Sequence, residues 1–316
     1  MIKKIFIFFL NPLILFGVEN SFTPNFFGTL LELSSSNVEV GTATLQPYFN
    51  GGYSYGSYEN NFSLNSQSQY GYLAPQMTAY FGITSKIEFD LMYSVSTLFA
   101  NHKKVTGMGD LTLGFAYQFL FDDQKSSIPN FRVVLYGVFP TGQSGSLSPN
   151  LNGYDGTGGG CYGLESGFTL NKNLYTIPTH PFNLSINLTY TYLFQSLFKG
   201  ISPYGGGPFS LFNIRPGPII WSDLGFEIAL TEELFFCLDL EYSHNFKNHF
   251  SGILGLNFDG STPSLNQNSK DLFTIAPALQ ININPDLATY IGVIATVFGR
   301  NSAATATANF SIAYSF

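Results

Sequence analysis

The chain has 316 residues; 17% are aromatic, only 10% are charged, and the formal net charge is −7. A typical soluble domain carries about 25% charged residues, so these few charges cannot cover an ordinary water-facing surface. The negative charge disfavours nucleic acid as a partner, and after the first twenty residues no run of about 18 apolar residues could form a membrane-spanning helix. The sequence instead contains short apolar stretches separated by polar residues, a pattern that favours a transmembrane β-barrel.

The first residues have the order of a secretory signal peptide. Two lysines precede a nearly continuous apolar stretch from Ile5 to Phe16, and the small Gly17 follows. About a dozen apolar residues are too few to span a bilayer. The sequence therefore predicts a signal peptide over 1–18 cleaved at about 17–21, a periplasmic segment over 19–43, and a barrel over 44–316.

Alternation of apolar and polar residues marks the strands. From Ile87 onward apolar residues occupy every second position, while Glu88, Asp90 and Ser94 lie between them. A period of two places one set on each face of a strand. Twelve segments have this character, at about 44–58, 67–82, 86–99, 108–120, 131–141, 157–170, 182–197, 217–230, 234–247, 270–283, 286–299 and 303–316.

The connections between these strands alternate in length. Those after even-numbered strands are mostly tight, as at 83–85 and 284–285, whereas several after odd-numbered strands are long, as at 142–156 and 198–216. Bacterial outer-membrane barrels have even strand numbers, short periplasmic turns and long external loops. The predicted fold class is therefore all-β, a twelve-stranded antiparallel barrel in the cell outer membrane with its first and last strands paired.

The last strand ends on an aromatic residue. Phe310, Ile312, Tyr314 and Phe316 share one face, and small residues occupy the other. This resembles the C-terminal strand by which outer-membrane barrels are recognised for assembly. Membrane lipid and the outer-membrane assembly machinery are therefore predicted partners.

If the apolar faces contact lipid, the opposite faces line the lumen. Tyr136, Trp221 and Phe235 are bulky residues predicted to point inward. The charged residues predicted to line the lumen and set its selectivity are Glu88, Asp90, Asp110, Arg132, Glu165, Asp223, Glu227, Asp239 and Glu241.

Arg132 is the basic member of this set. Strand direction predicts that it lies in the same periplasmic half as Glu88, Asp90 and Glu165, and we expect it within reach of at least one of them. Crowded carboxylates attract a guanidinium partner, which supports this pairing. The alternative is a lumen packed with hydrogen-bonded side chains that has a structural role only.

Patterns for catalysis and metal binding are weak. The four histidines, His102, His180, His244 and His249, fall in loops or at strand ends, where a lone histidine is usually a solvated surface residue. His249-Phe250-Ser251 is similar to the His-x-Ser of outer-membrane phospholipases, but Gly252 follows where that family has Asn-Gly.

Two further features were weighed as possible sites. The two cysteines, Cys161 and Cys237, are too few for a disulfide framework and lack metal-type spacing. The run Gly156–Gly160 lacks the Lys-Ser/Thr ending of a phosphate loop and is interpreted as a hinge or the start of a strand. We expect no enzyme activity, no cofactor and no metal.

Three segments resemble a known family. Gly107–Tyr117 resembles the G-x-G-D-x-x-x-G-x-x-Y strand of the outer-membrane family named for the meta-cleavage pathway of phenol degradation. Val138–Gly142 resembles the strand of that family that ends in Pro-Thr-Gly, and Phe81–Glu88 is similar to its turn between the second and third strands. The resemblance covers about residues 70–142. It implies a single-chain barrel that transports small, often aromatic, compounds, and it assigns no residue-level site.

The leading functional hypothesis is a passive outer-membrane channel for small hydrophobic or aromatic solutes. The second is a structural or surface-interaction barrel with a closed lumen, whose loops at 198–216 and 248–269 bind something outside. The third, an outer-membrane hydrolase, requires a serine, a histidine and a carboxylate to converge on one wall. The apolar residues Ile201, Leu211 and Phe212 are consistent with a loop at 198–216 that folds inward.

Overall fold

The computed structural model describes residues 24–31, 33, 36–66, 70–100, 103–122, 127–151, 155–174 and 180–316. The predicted signal peptide, residues 1–18, lies outside the described residues. In the described part of the chain no helix is both long enough and apolar enough to cross a membrane.

Twelve strands form the wall, and two of them are interrupted. Strand β2 has three pieces and β4 has two. The strands are β1 (Ala43–Tyr58), β2 (Leu64–Asn65, Gly71–Leu73 and Gln76–Gly82), β3 (Ile87–Ala100), β4 (Lys103–Met108 and Leu111–Leu120), β5 (Asn130–Phe139), β6 (Gly163–Leu174), β7 (Phe182–Leu193), β8 (Ile219–Ala229), β9 (Leu234–Asn245), β10 (Lys270–Asn284), β11 (Leu287–Arg300) and β12 (Ser302–Ser315).

The wall is a closed antiparallel barrel. Each strand pairs with its neighbours along the chain, and β12 pairs back onto β1, with Leu45 opposite Tyr314. Ala43 and Phe316 exchange two backbone hydrogen bonds of 2.9 Å at the end of this seam. Closure leaves no strand edge, which matters because each unpaired backbone group in lipid costs several kcal/mol. The predicted fold and the predicted pairing of the first and last strands are confirmed.

Side chains alternate between the two faces of the wall. Along β7 the even-numbered residues from Leu184 to Tyr190 are exposed, while the odd-numbered residues between them are buried. The outer face is apolar, as shown by Phe115 at 53% exposed and Leu188 at 37%. The inner face carries the polar residues, among them Ser185 and Asn187. Apolar residues outside and polar residues inside are the inverse of a soluble core and suit a wall that stands in lipid.

The two ends of the barrel differ. Both chain ends of the wall, Ala43 and Phe316, lie at the end that carries the short turns 83–86, 230–233 and 285–286, which we call the turn end. The opposite end, the loop end, carries the long connections 140–162, 194–218 and 246–269. The three long connections thus lie at one end, as predicted, although the turn end also carries the connections 121–129 and 175–181 and the loop end a turn of the single residue Asn301.

The long connections fold into a small sheet of their own. Its strands are Ser196–Lys199, Leu211–Arg215 and His249–Ile253. Phe198 and Phe212 of this sheet pack together with Cys161, and each of the three residues is less than 5% exposed. Cys161 is a free thiol that accepts a hydrogen bond from the Tyr204 hydroxyl at 3.7 Å, and burial raises the pKa of this thiol.

Predicted boundaries of the fourth, sixth and seventh strands were wrong: β4 begins at Lys103 and not at 108, and β7 ends at Leu193 and not at 197. The sixth strand was predicted at 157–170, but β6 is Gly163–Leu174. The glycine run before it holds Asp110 instead: the backbone N–H groups of Gly142 and Gly159 donate to the two oxygens of this carboxylate, at 3.0 and 2.6 Å. A Cβ on Gly158 would lie 2.2 Å from Asp110 Oδ1, so the glycine is needed for this close approach.

Candidate functional site: the barrel interior

A buried ion-pair cluster lies on the inner wall near the turn end. Arg132 of β5 forms ion pairs with Glu88 and Asp90 of β3, the second at 2.8 Å from Nη2 to Oδ2. The Tyr136 hydroxyl donates to the same Asp90 oxygen at 2.6 Å. The side chains of all three charged residues are 0% exposed. The prediction that Arg132 pairs with one of the named carboxylates is confirmed, because it pairs with two.

Glu165 lies apart from this cluster. It is opposite Tyr136 across the β5–β6 pair and accepts a hydrogen bond of 2.7 Å from the Thr191 hydroxyl. The expectation that Glu165 shares the half of the barrel occupied by Arg132 was wrong. Because β6 begins at Gly163, Glu165 is the third residue from its loop end.

The described residues 24–31, 33 and 36–42 lie in the interior at the turn end, and we call them the strap. Its first half binds the wall at β8 and β9. The backbone N–H of Gly28 donates to Glu227 and that of Leu30 to Asp239, both at 3.2 Å. The Thr29 hydroxyl also donates to Asp239. Three consecutive residues are therefore held by two wall carboxylates.

The second half of the strap binds the other side of the barrel. The backbone N–H of Val38 donates to Glu88 at 2.5 Å, and that of Asn37 donates to Gln118 at 3.2 Å. Arg132 Nε donates to the Asn37 side-chain oxygen at 3.1 Å. Strands β3 and β9 are half a circuit of the twelve-stranded wall apart, so the strap spans the lumen between opposite walls.

Apolar packing fixes the middle of the strap. Leu30 is 1% exposed and packs in a cluster that contains Phe235 and Tyr290 of the wall. A Cβ on Gly292 would lie 2.9 Å from Leu30 Cδ2, so this glycine leaves room for the leucine. The rings of Phe26 and Phe235 pack edge to face, with their centres 5.6 Å apart.

Burial along the inner face shows how far the strap fills the lumen. On β9 Phe235, Cys237 and Asp239 are fully buried, whereas Glu241 and the inner residues beyond it are partly exposed. On β3 and β8 the inner residues likewise change from buried at the turn end to partly exposed at the loop end. The turn-end part of the barrel is therefore filled, and the loop-end part of the inner face of β3, β8 and β9 borders an accessible space that we call the vestibule.

The remaining predicted lumen residues form separate contacts on the inner face. Asp223 is 2% exposed and accepts a hydrogen bond of 3.2 Å from Asn187 Nδ2. Glu241 lies opposite Asp223 across the β8–β9 pair and lines the vestibule. The structure thus brings together Glu88, Asp90 and Arg132 as one group and Glu227 and Asp239 as a second.

Sequence reasoning did not place the strap. Its residues were assigned to a periplasmic segment, since they show no strand alternation. A usable signal was present: Phe26, Phe27 and Leu30 form an apolar stretch that a segment in water would have no reason to carry. Gly28, with φ of +97°, adopts a backbone conformation that favours glycine.

Candidate catalytic and metal groups do not assemble among the described residues. His244 Nδ1 lies 2.6 Å from Asp271, whose other oxygen pairs with Arg300 at 2.5 Å. His249 belongs to the small loop sheet, and His102 lies outside the described residues. The searched part of the chain has no group of three or more His, Cys, Asp or Glu placed to hold a metal ion.

Comparisons with known proteins bear on the fold. No family model matches the sequence, and no curated protein matches it. The chain is similar to the COG4313 outer membrane channel from Pseudomonas putida F1, with a TM-score of 0.65 and 10% identity over 91% of this chain and 100% of that one.

Two other solved structures are more distant. The β domain of the Bordetella autotransporter BrkA has a TM-score of 0.46 and 8% identity over 87% of this chain and 100% of that chain. The deltaS2 mutant of the TodX monoaromatic hydrocarbon channel has a TM-score of 0.42 and 11% identity over 88% of this chain and 90% of that chain. The first similarity shows that the fold is that of an outer-membrane β-barrel.

Proposed function

We propose that the protein is an outer-membrane channel for the passive passage of small hydrophobic or aromatic solutes, and that the strap is its internal closure. The main observation in support of this proposal is the way in which the strap is attached to the wall. Wall carboxylates hold its backbone N–H groups at Glu227, Asp239 and Glu88, while the wall closes through its own β1–β12 pairing. A segment held by a few local contacts can leave its place without unfolding the rest.

The lining of the interior supports the solute class. In the vestibule Trp221 and Met92 are partly exposed beside polar groups. Beneath the strap lie Phe235, Tyr290 and the Asp239 carboxylate, which undocking of the strap would uncover. Ligand sites typically combine an apolar lining with a few placed polar groups, and this combination suits small, partly apolar molecules.

Weakening the strap tests this function. Leu30→Ala removes a fully buried side chain, a change that costs about 2–5 kcal/mol at such sites, so the undocked fraction of the strap should rise. We expect higher single-channel conductance in planar bilayers and faster liposome uptake of phenylalanine, an aromatic solute whose charges hinder its passage through lipid. Leu188→Ala makes the same change on the outer face of β7 and should leave both unchanged.

The second candidate function is the structural or surface-interaction barrel with a closed lumen. The burial of the whole turn-end inner face is the observation that favours it. If the wild type and Leu30→Ala both fold but neither conducts ions nor takes up phenylalanine, the closed barrel is the correct assignment. The long connections 194–218 and 246–269 would then be the surfaces to examine for binding.

We also propose that the chain reaches the outer membrane through its signal peptide and assembles through its last strand. Phe310, Tyr314 and Phe316 are exposed on the outer face, while Ser311 and Ala313 between them are buried. Deleting Phe316 should lower the amount of folded protein in outer-membrane fractions. Equal amounts of folded protein with and without Phe316 would contradict this role.

A further inference from the structure

A cavity of about 150 Å³ lies between the strap and the wall. Phe26, Phe27 and Leu33 line it on the strap side. Gln46 of β1, Tyr80 of β2 and Ala313 of β12 are among the residues that line it on the wall side. The cavity adjoins a cleft of about 450 Å³ that reaches Phe316, which gives it an approach from the turn end.

The lining defines what the cavity can hold. The strap contributes the apolar Phe26, Phe27, Leu33 and Val38 together with the polar Thr29, Ser36 and Asn37, and the wall adds further hydrogen-bonding groups. Tyr80 and Gln46 bring a hydroxyl and an amide to the lining, and among the described residues the buried Asn37 Nδ2 has no hydrogen-bond partner. A buried polar group without a partner costs about 1–3 kcal/mol, so a ligand that pairs with these groups gains affinity.

The size of the cavity and the charge of its lining further restrict the class of ligand that it can bind. A cavity of roughly 150 Å³ can hold one six-membered ring. None of the described residues that line it is charged, and the nearby Glu88 and Asp239 accept hydrogen bonds from the strap. An ionised ligand would therefore find no countercharge among these described residues, and burial of a charge without one is strongly unfavourable.

We propose that this cavity binds a small uncharged alcohol about one ring in size, and that the bound molecule holds the strap in place. The strap forms one side of the cavity, so the site exists only while the strap is docked. A ligand that binds one state alone shifts the equilibrium toward that state. The consequence for transport, a channel kept closed by this ligand, rests on the proposed function, whereas the binding itself does not.

Hydrogen exchange of the strap amides tests the binding directly in the full-length protein. The N–H groups of Gly28, Leu30 and Val38 are bonded to wall carboxylates, so their exchange reports undocking. With cyclohexanol as the probe, we expect saturable slowing, about tenfold at a concentration ten times the Kd. Cyclohexanecarboxylate, which has the same ring and a charge, should have no effect.

Two variants locate the effect. Ala313→Leu fills the cavity and should abolish the response to cyclohexanol. Tyr80→Phe removes one hydroxyl and should weaken binding by roughly three- to tenfold, as the loss of one hydrogen bond implies. Tyr48→Phe is the matched control, because Tyr48 also packs into the interior but does not line this cavity.

Three results would overturn the proposal. Wild-type exchange unaffected by cyclohexanol would show a cavity that holds water only. Equal slowing in Ala313→Leu would show that the alcohol acts elsewhere, for example on the surrounding lipid. If Ala313→Leu does not fold, an identical response of Tyr80→Phe and Tyr48→Phe would overturn it. None of these readouts uses conductance, so failure of the channel function would be seen separately.

Discussion

Arg132 connects two strands of the wall to the strap. It pairs with Glu88 and Asp90 of β3 and donates to Asn37 of the strap, and it is fully buried. Removing one partner of a buried ion pair is far more costly than replacing the whole group, because an unpaired charge remains in a region of low dielectric. Glu88 also accepts a hydrogen bond from the backbone N–H of Val38 in the strap. Loss of the ion pairs should therefore also weaken the attachment of the strap.

Arg132→Ala should therefore destabilise the barrel by about 3–5 kcal/mol and also loosen the strap. The first effect is measured as a lower unfolding temperature, and the second as higher conductance in planar bilayers. The triple variant Arg132→Leu, Glu88→Gln, Asp90→Asn removes the charges together and should recover most of the stability. If the single variant is as stable as the triple, these ion pairs do not support the wall.

Among the elements, the strands follow from the sequence and the strap does not. A strand such as β7 repeats its apolar face every second residue, so local pattern alone reveals it. The contacts of Leu30 with Asp239 and of Val38 with Glu88 join residues 209 and 50 positions apart, and no local period encodes them. The same limit applies to Asp110, since backbone N–H groups of residues 142 and 159 satisfy it and leave no side-chain motif.

The two faces of a wall strand should respond differently to charge. Phe115 lies in the middle of the longer piece of β4 and is 53% exposed on the outer face. Phe115→Arg should destabilise the barrel by about 2–4 kcal/mol, because a guanidinium at mid-bilayer depth loses its hydration. Thr112→Asn, on the inner face of the same strand, should change stability little. Unfolding in urea from lipid vesicles measures both, and equal losses would mean that the faces are assigned in reverse.

For the whole molecule, wall and strap are stabilised by different interactions. Backbone ladders run around the complete wall and close at β1–β12, independent of what fills the interior. The strap adds side-chain hydrogen bonds and the burial of Leu30 at one end only. Because the two parts are stabilised separately, the strap can leave the lumen while the hydrogen-bonded wall stays closed in the membrane.

A disulfide across the seam tests the closure on which this arrangement depends. Leu45 of β1 and Tyr314 of β12 are directly opposite each other, and cross-strand neighbours have Cβ atoms about 4.5–5.5 Å apart, near enough for a disulfide after a small shift. In a background with Cys161 and Cys237 replaced by alanine, Leu45→Cys with Tyr314→Cys should cross-link on oxidation and raise the unfolding temperature. Leu45→Cys with Phe310→Cys is the matched control, because Phe310 lies opposite Phe49, four residues farther along β1, and it should stay reduced. Cross-linking of the control pair and not of the first would place the two strands in a different register, and cross-linking of neither would show that the wall is open at this seam.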